Sequence, residues 1–386
     1  METGLVVASV LFCLALFELA VRLTVPPPPV ARGNVYRPHP RAIFCCAEDA
    51  EAEHITEEFR CTYATSDQGF RDRHYDKKED STYRILCLGD SSTMGGGVHL
   101  NETYAKVLER LLAEQNLNKR IEVINAGTCA YGVWQERIIL EERGFALEPD
   151  MVILQLHPQT DVRDALVRVG KVTRSYHLDW QKTLELWRKR RTTAPTKTLR
   201  RYSRGFAFIY RRYVQLQDQL QHRLRGRFRR AVRRFPPSED ERPHWFESSL
   251  STYYPELEEG WELLEESVCG IANSCRERQI AFLLFVIPAL HEVCDGELER
   301  VTDLFGVEPE LYDLDKTLRL VRDMTTRNGI AFVETLDRFK QLSDNRGCPY
   351  YIVDGHVIAE GHAVCAEALC EHLMETNLQE LSETPA

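Results

Sequence analysis

The sequence predicts a three-layer α/β fold in which a doubly wound parallel sheet of about five strands lies between two layers of helices. Short apolar runs, which suit strands buried on both faces, alternate along the chain with longer stretches of helical periodicity. The composition supports a globular protein, since 43% of the 386 residues are hydrophobic and 28% are charged. These values exclude a disordered, a collagen-like and a small disulfide-scaffold protein.

Five runs are predicted to be strands of one parallel sheet. They are residues 83–88, 121–124, 151–156, 281–287 and 330–333. The predicted helices are residues 104–114, 134–142, 259–276, 316–327 and 359–374. Because such sheets bind ligands beyond the carboxyl ends of their strands, we expect the functional residues directly after the strands.

The apolar run at residues 4–25 is predicted to anchor the chain in a membrane as one uncleaved helix. Its length approaches the roughly 20 apolar residues that span a bilayer. Glu18 and Arg22 interrupt it, but they lie four residues apart on one helix face and can pair. A cleaved signal peptide and a buried core helix are the alternatives. No Lys or Arg precedes the run and no A-x-A site follows it, which argues against cleavage.

The remaining chain is predicted to comprise a linker and N-terminal extension at 26–82, after the segment 1–25, and one domain at 83–386 that contains a basic insertion at 162–247. Residues 161–235 carry 22 Lys and Arg against 5 Asp and Glu, although the net charge of the chain is −10.

The most basic part of the insertion, residues 204–233, has the periodicity of an amphipathic, Arg-rich helix. It could pack on the domain as a solvated helix, lie on anionic lipid beside the anchor, or bind a polyanion. No nucleic-acid partner is expected, because no aromatic platform or recognition motif accompanies the charge.

Twelve cysteines are present, without the spacing of a metal site or of a disulfide framework. Cys87 lies inside a predicted strand, where it is interpreted as a small buried apolar residue. Cys45 with Cys46, and Cys269 with Cys275, could pair or stay thiols. The cysteines therefore leave the redox compartment open.

The strongest local signal for chemistry is Gly89-Asp90-Ser91, which directly follows the predicted strand 83–88. A serine there would place its hydroxyl at the carboxyl edge of the sheet, and the N–H groups of a starting helix would face an incoming negative charge. This position suits a nucleophile whose attack creates an oxyanion. The alternative is a helix N-cap serine without a catalytic role.

The second signal is Asp354-Gly355-His356, followed by Gly361-His362. A histidine oriented by a carboxylate is the base that such a serine needs, because the acid fixes the tautomer of the ring. The alternative is a surface turn with two incidental histidines.

In this order the motifs resemble those of the SGNH/GDSL hydrolases, in particular their membrane-anchored bacterial-type branch. The resemblance runs from the N-terminal run to the C-terminus and leaves out most of the basic insertion. The matching segments are 69–72, 89–91 with 95–98, 123–127 with 131–132, 149–150, Pro288, and 354–356 with 361–362. It implies an SGNH- or flavodoxin-like sheet.

The resemblance also implies roles in catalysis. Ser91 would be the nucleophile, and its own N–H would be one donor of the oxyanion hole. His356 would be the general base and later the acid, and Asp354 would orient it. His362 would pack against or cap the last helix.

Two of the matching segments depart from the family pattern. In the second segment, 123–127 with 131–132, the family has a glycine whose N–H donates to the oxyanion. Its place would fall on Ala130, with Gly127 as the alternative. In the third segment, which follows the predicted strand 151–156, the family has an asparagine whose side chain donates to the oxyanion. Here Thr160 would take its place, or Gln159 in an ungapped match.

The resemblance therefore implies a membrane-anchored serine hydrolase that cleaves a carboxylic ester, with no metal or organic cofactor. Its substrate would be an acylated small molecule, lipid or glycan. Acyl transfer to a polysaccharide or lipid, and an inactive ligand-binding protein, are the alternatives. The family suggests an extracytoplasmic body, whereas the arginines that follow the run 4–25 favour a cytoplasmic one. Nothing in the sequence indicates the oligomeric state.

Overall fold

Five parallel strands form the central sheet of the structure, a computed structural model. The residues described are 2–24, 30–56, 58–170, 203, 205, 209, 212, 247–300, 309–352, 354–376 and 378. The strands are β1 (Val30–Gly33), β2 (Tyr36–His39), β3 (Ile43–Cys46), β4 (Glu51–Ile55), β5 (Arg60–Ala64), β6 (Thr82–Leu88), β7 (Arg120–Asn125), β8 (Met151–Leu156), β9 (Ala281–Val286) and β10 (Ala331–Val333). The helices are α1 (Glu2–Thr24), α2 (Ser91–Met94), α3 (Tyr104–Ala113), α4 (Val133–Ile139), α5 (Pro158–Arg168), α6 (Pro255–Arg276), α7 (Leu290–Val293), α8 (Lys316–Asn328), α9 (Leu336–Arg346) and α10 (Ala359–Glu375).

The central sheet has the strand order β10-β9-β8-β6-β7, and every neighbouring pair is parallel. Its inner strands are mostly apolar because both faces are covered, and every residue of β8 is buried. The predicted parallel sheet of five strands is confirmed. The predicted strand segments agree with the observed strands to within one residue at each end.

Helices cover both faces of this sheet. Side chains alternate along each strand, so Leu86 of β6 lies in one core and its neighbours Ile85 and Cys87 lie in the other. Helices α4, α5, α6 and α8 contribute to the first core, and α3, α9 and α10 contribute to the second. Two layers of helices therefore enclose the sheet.

The segment 26–82, predicted as a linker and extension, contains two small antiparallel sheets. One is formed by β2 and β3, and the other has the order β1-β4-β5. These strands have only four or five residues each and carry many polar side chains, so periodicity did not indicate them. Tyr63 of β5 shares a third core with Met94, which ends α2.

The N-terminal run forms α1, and its Glu18 and Arg22 pair at 2.7 Å as the spacing predicts. The Glu18 carboxylate also accepts hydrogen bonds from the Ser203 hydroxyl at 2.7 Å and from the Gly205 N–H at 2.8 Å. The expected membrane-spanning helix is not supported: within the described ranges, no helix is long and apolar enough to cross a membrane. Charges at Glu2, Glu18 and Arg22 reduce the apolar character of α1.

Most of the basic insertion predicted at 162–247 lies outside the described residues. Its first residues, up to Arg168, continue α5. Of the Arg-rich helix predicted at 204–233, the structure describes residues 205, 209 and 212, and each is helical.

A disulfide joins Cys294 to Cys348, with 5.7 Å between their Cα atoms. The sequence did not indicate this pair, because 54 positions separate the two residues. The four cysteines considered as partners from the sequence are free thiols: Cys45, Cys46, Cys269 and Cys275. Cys87 is fully buried in the sheet, as its position in a strand predicts.

Candidate active site

The candidate site lies where the order of strands reverses. From β6 the chain passes to β7 on one side and then to β8 on the other, so the crevice between the carboxyl ends of β6 and β8 is a topological switch point. Leu88 of β6 pairs with Leu154 of β8, which places the next residues of both strands at the same edge. Ser91 follows β6 there, and His157 follows β8.

Ser91 is the first residue of the short helix α2. The side chain of Asp90 caps this helix by accepting the Ser92 N–H at 2.8 Å, and Gly95 ends it in a left-handed conformation. Ser91 itself is half-buried. Within the described part of the chain, neither its hydroxyl nor its N–H has a hydrogen-bond partner, so both groups remain available to a ligand.

A glycine is required directly before this turn. A Cβ on Gly89 would lie 2.1 Å from the Thr93 hydroxyl, which is held between Tyr104 and Gln155 at 2.9 and 3.0 Å. The backbone of Gly89 also has a φ of 155°, which side chains rarely adopt. The sharp turn from strand to helix that exposes Ser91 therefore depends on Gly89.

His356 and Asp354 form a hydrogen-bonded pair through His356 Nδ1 and Asp354 Oδ1. Burial alone would lower the pKa of His356, but the hydrogen bond and charge of Asp354, with the charge of Asp90, raise it above its usual value. Burial raises the pKa of Asp354, yet His356 and the charge of His54 leave it lowered. Asp354 is therefore ionised at neutral pH and holds the imidazole with Nε2 directed away from it.

Gly96 contacts both Ser91 and His356. Its N–H donates to the carbonyl oxygen of Ser91 at 2.8 Å. A Cβ on Gly96 would lie 2.5 to 2.9 Å from three atoms of the His356 ring, including Nε2. The imidazole of His356 therefore lies directly against the turn that follows Ser91.

The loop that carries His356 is closed by its own hydrogen bonds. Tyr351 N–H donates to the His356 carbonyl at 2.9 Å, and Gly355 N–H donates to the Tyr351 carbonyl at 2.8 Å. The Tyr351 hydroxyl donates to the Gly97 carbonyl at 3.1 Å, and the Tyr350 hydroxyl donates to the Pro288 carbonyl at 2.6 Å. These bonds fix the loop to the turn after Ser91 and to the end of β9.

Arg71, from the segment 69–72, holds the turn after Ser91 by hydrogen bonds to its backbone. Its buried guanidinium donates to the carbonyl oxygens of Met94, Gly95 and Val98, the last two at 2.8 Å. It also stacks over the ring of Tyr63, 4.4 Å from the centroid. This motif therefore acts on the backbone of the candidate site.

Asn125 connects the second segment to the first. Its side chain donates to the Thr93 carbonyl at 2.7 Å and accepts the Gly127 N–H at 3.1 Å, so that N–H is already engaged. A Cβ on Gly127 would lie 2.2 Å from the Met94 nitrogen, so Gly127 serves close packing. Ala130, the other residue expected as a donor, adopts a left-handed φ of 62°, a conformation that favours glycine.

In the third segment, the two predicted donors are turned to other partners. The Gln159 amide donates to the buried Glu292 at 2.8 Å. The Thr160 hydroxyl donates to the His157 carbonyl at 3.0 Å and lies 3.2 Å from His157 Nδ1. His157, which precedes these two, lies close enough to Asp90 and His356 to interact with both charges. Its pKa is lowered, because burial and the charge of His356 outweigh the opposite effect of Asp90.

Sequence reasoning missed His157, although one signal could have found it. His157 comes directly after β8, which is the position where functional residues were expected. His362 plays the packing role expected of it. It is fully buried, its Nδ1 accepts the Tyr104 N–H at 3.2 Å, and burial lowers its pKa to about 3.

Buried acids lie behind the crevice without forming a metal centre. Burial raises the pKa of Glu136 well above its usual value, and the charges of Asp161, Asp90 and Asp164 raise it further. Within the ranges that the structure covers, no group of three or more His, Cys, Asp or Glu residues is placed to hold a metal ion.

Fold and site together define a parallel α/β protein with a serine and a histidine–aspartate pair at the switch point. No family model matches the chain, and no curated protein matches it. Among solved structures it is similar to a mutant of Axe2, an acetyl-xylooligosaccharide esterase from Geobacillus stearothermophilus, with 14% identity, a TM-score of 0.39, and coverage of 75% of this chain and 94% of that one.

Two other solved structures show similarity of the same order. TesA has 11% identity and a TM-score of 0.39, with coverage of 76% of this chain and 98% of that chain. LAE5, an α/β hydrolase from the metagenome of Lake Arreo in Spain, has 14% identity and a TM-score of 0.38, with coverage of 75% and 94%. Similarities at these scores carry no argument about function.

Proposed function

We propose that this chain is a serine hydrolase that cleaves a carboxylic ester through an acyl-Ser91 intermediate. The observation that carries the proposal is the contact of the His356 ring with Gly96, whose N–H bonds the Ser91 carbonyl. This contact supports the proposal, because it brings a histidine with a raised pKa and an orienting carboxylate to the turn that begins at Ser91. The resemblance to the SGNH/GDSL hydrolases assigns the same three residues.

In the acylation step, Ser91 Oγ attacks the carbonyl carbon of the ester and its proton passes to His356 Nε2. Asp354 stabilises the imidazolium that forms, because its carboxylate accepts the Nδ1–H bond. The tetrahedral intermediate then collapses, the bond to the alcohol oxygen breaks, and His356 returns the proton to that oxygen. The products are a free alcohol and the acyl enzyme.

In the deacylation step, water replaces the alcohol. His356 removes a proton from water, the hydroxide attacks the acyl carbon, and Ser91 Oγ leaves with the proton that His356 held. The balance is one ester and one water consumed, and one acid and one alcohol released. No metal or organic cofactor enters these steps.

The developing oxyanion needs donors that point into the crevice. The Ser91 N–H at the start of α2 is one such donor. We assign the place of the family asparagine to the His157 ring, because the predicted side chains of Thr160 and Gln159 bond elsewhere. Burial lowers the pKa of this ring and so favours its neutral form. The assignment requires the Thr160 hydroxyl to turn its one proton from the His157 carbonyl to Nδ1, 3.2 Å away, which leaves the ring proton on Nε2.

One observation favours a second candidate function, a ligand-binding protein without turnover. Thr160 and Gln159, the two side chains that the resemblance offers as donors to the oxyanion, donate to other partners. If His157 does not replace them, the crevice would bind an acylated lipid or glycan but stabilise the transition state poorly. Losing one oxyanion donor lowers rates by about 10² to 10³ in serine hydrolases.

The experiment compares the full chain with Ser91→Ala, and uses Ser92→Ala as the matched control one position along α2. A fluorophosphonate probe reports an activated serine, and p-nitrophenyl esters of increasing chain length report turnover and the size of the acyl pocket. We expect labelling and turnover in the wild type and in Ser92→Ala, and neither in Ser91→Ala.

The other outcomes separate the alternatives. Labelling at Ser91 without hydrolysis would indicate an acyltransferase, which the addition of sugar or lipid acceptors would then reveal. A folded wild-type chain that shows neither labelling nor turnover would refute the hydrolase and leave the binding protein.

A further inference from the structure

The turn between β4 and β5 contacts the loop that carries His356. The two strands pair in antiparallel fashion up to Ile55 and Arg60, and Thr56, Glu58 and Phe59 belong to the turn between them. Glu58 Oε2 accepts the backbone N–H of Asp354 at 2.9 Å. This bond links the N-terminal extension to the residue that orients His356.

Phe59, the next residue of the turn, contacts both loops of the candidate site. Its ring centroid lies 4.9 Å from that of Tyr351, in the His356 loop. A Cβ on Gly97, in the turn after Ser91, would lie 3.0 Å from the Phe59 ring and 2.6 Å from the Tyr351 ring. Phe59 is therefore packed where the serine loop and the histidine loop meet.

The turn is held in place by its own bonds. The Thr56 hydroxyl accepts the N–H groups of Glu58 at 3.1 Å and Phe59 at 3.0 Å, and Thr56 N–H donates to the Phe59 carbonyl at 2.8 Å. The ring of His54 lies edge-on to Phe59, with 5.2 Å between centroids. A turn ordered in this way can transmit a fixed position to its partners.

We propose that the turn between β4 and β5 positions the catalytic base, with Glu58 acting through Asp354 and Phe59 setting the approach of the two loops. The inference rests on the proposed function, since it concerns the same Ser91 and His356. It makes the N-terminal extension a part of the active site. Glu58 is a positioning residue here, because it touches neither the substrate nor the reacting atoms.

The test uses variants of the full chain. Glu58→Ala removes the acceptor of the Asp354 N–H, Glu58→Asp retracts it by one methylene, and Glu58→Gln retains it without the charge. The matched control is Glu53→Ala, which breaks the 2.7 Å bond of Glu53 to Arg60 in the same hairpin but leaves the turn intact. Turnover of a p-nitrophenyl ester and NMR titration of the His356 ring are both measured.

We expect Glu58→Ala and Glu58→Asp to lower kcat by about 10-fold to 10²-fold with KM changed less than about 2-fold, because a displacement near 1 Å costs about 10² in rate. Glu58→Gln and Glu53→Ala should retain most of the wild-type rate. The pKa of His356 should fall in the two impaired variants as Asp354 loosens, while Asp90 and His157, which also face the ring, are unchanged.

The NMR titration keeps this inference separate from the proposed function. A wild type that neither labels at Ser91 nor turns over refutes the hydrolase, but the His356 titration still decides the role of Glu58. If the His356 pKa is the same in Glu58→Ala, Glu58→Asp and the wild type, the positioning role is refuted, whatever the activity. If Glu58→Ala does not fold, Glu58→Asp decides in the same way.

Discussion

The His356 ring and the Gly96 backbone are in contact with no space between them for a side chain. Three ring atoms lie 2.5 to 2.9 Å from the position that a Cβ on Gly96 would occupy. Gly96 does not have a left-handed φ, so its backbone does not require glycine. The absence of a side chain is needed for the position of the imidazole, which makes Gly96 a sensitive probe of the site.

We therefore expect Gly96→Ala to impair catalysis far more than folding. The added methyl must displace the imidazole, and kcat should fall by about 10² because the base no longer reaches Ser91 Oγ. The matched control is Gly329→Ala, at the end of α8, where a Cβ meets no atom within 4 Å and only the φ of 62° is strained. Steady-state kinetics and thermal unfolding should show lost rate in the first variant and lost stability alone in the second.

The pH profile should report the pair of His356 and Asp354. Because Asp354 raises the His356 pKa, the base is protonated up to a higher pH, and the acidic limb of kcat/KM should lie above pH 6.5. In Asp354→Asn the negative charge is lost, so the pKa of His356 falls and the limb moves to lower pH.

The same Asp354→Asn change should also lower kcat, because the asparagine NH2 group donates to Nδ1 and holds the ring in the wrong tautomer. Equivalent changes in serine proteases cost about 10⁴. The control is Asp67→Asn, since Asp67 pairs with the exposed His74 at 2.7 Å and lies outside the candidate site. An acidic limb that does not move in Asp354→Asn would contradict the assigned base.

Arg71 should be needed for both stability and activity. Its buried guanidinium donates to the carbonyl oxygens of Met94, Gly95 and Val98. In Arg71→Ala these oxygens lose their donor, at about 1 to 3 kcal/mol for each buried group, so we expect the free energy of unfolding to fall by about 3 kcal/mol or more. Arg60→Ala, whose side chain is 71% exposed, should change it by less than about 0.5 kcal/mol.

Urea unfolding measures the free energy of unfolding of Arg71→Ala and Arg60→Ala. Arg71→Lys should recover little of the loss, because an ammonium group is a point charge and does not reproduce the planar set of donors. Full stability in Arg71→Lys would show that charge, and not the geometry of the guanidinium, holds the turn.

The oxyanion assignment gives a prediction that distinguishes three residues. His157→Ala should lower kcat by about 10² with little change in KM, since it removes a donor used only in the transition state. Thr160→Val should cause a smaller loss, because Thr160 acts by holding His157 Nδ1 at 3.2 Å. Gln159→Ala should leave kcat within a few-fold, since its amide bonds Glu292. A large loss in Gln159→Ala alone would return the donor role to that residue.

The central sheet could be predicted from the sequence because its strands are buried on both faces. The run Met151–Leu156 is apolar at every position except Gln155, and it is bounded by turn residues and helical patterns. The strands of the N-terminal extension could not be found in this way. Glu51–Ile55 and Arg60–Ala64 are short and carry charged or polar residues at alternate positions, so their pairing depends on tertiary contacts.

Parts of the candidate site were predictable for a similar reason. Ser91 and His356 lie in turns whose glycines mark sharp changes in direction, and such turns are local features of sequence. The hydrogen-bond partner of a polar side chain, in contrast, can lie far away in the sequence. Gln159 bonds Glu292, which is 133 positions away, and Glu58 bonds Asp354, which is 296 positions away. The cellular side and the Arg-rich helix stay predictions.

The disulfide of Cys294 and Cys348 should stabilise the loop that carries the base. Cys294 follows α7 beyond the end of β9, and Cys348 lies two residues before Tyr350, whose hydroxyl bonds the Pro288 carbonyl. The bridge joins positions 54 residues apart, so its loss should lower the free energy of unfolding by about 2 to 4 kcal/mol. The double change of Cys294→Ala with Cys348→Ala tests this by urea unfolding, with and without dithiothreitol.

Reductant should lower the unfolding midpoint of the wild type to that of the double variant and leave the double variant unchanged. Cys269→Ser, which removes a free thiol of α6, should respond to reductant as the wild type does. The loss of kcat in the double variant should be smaller than in Gly96→Ala, because the bonds of Tyr350 and Tyr351 still hold the loop. If mass spectrometry shows both thiols free after reduction and the midpoint does not move, the bridge does not stabilise the loop, and the hydrogen bonds alone position His356.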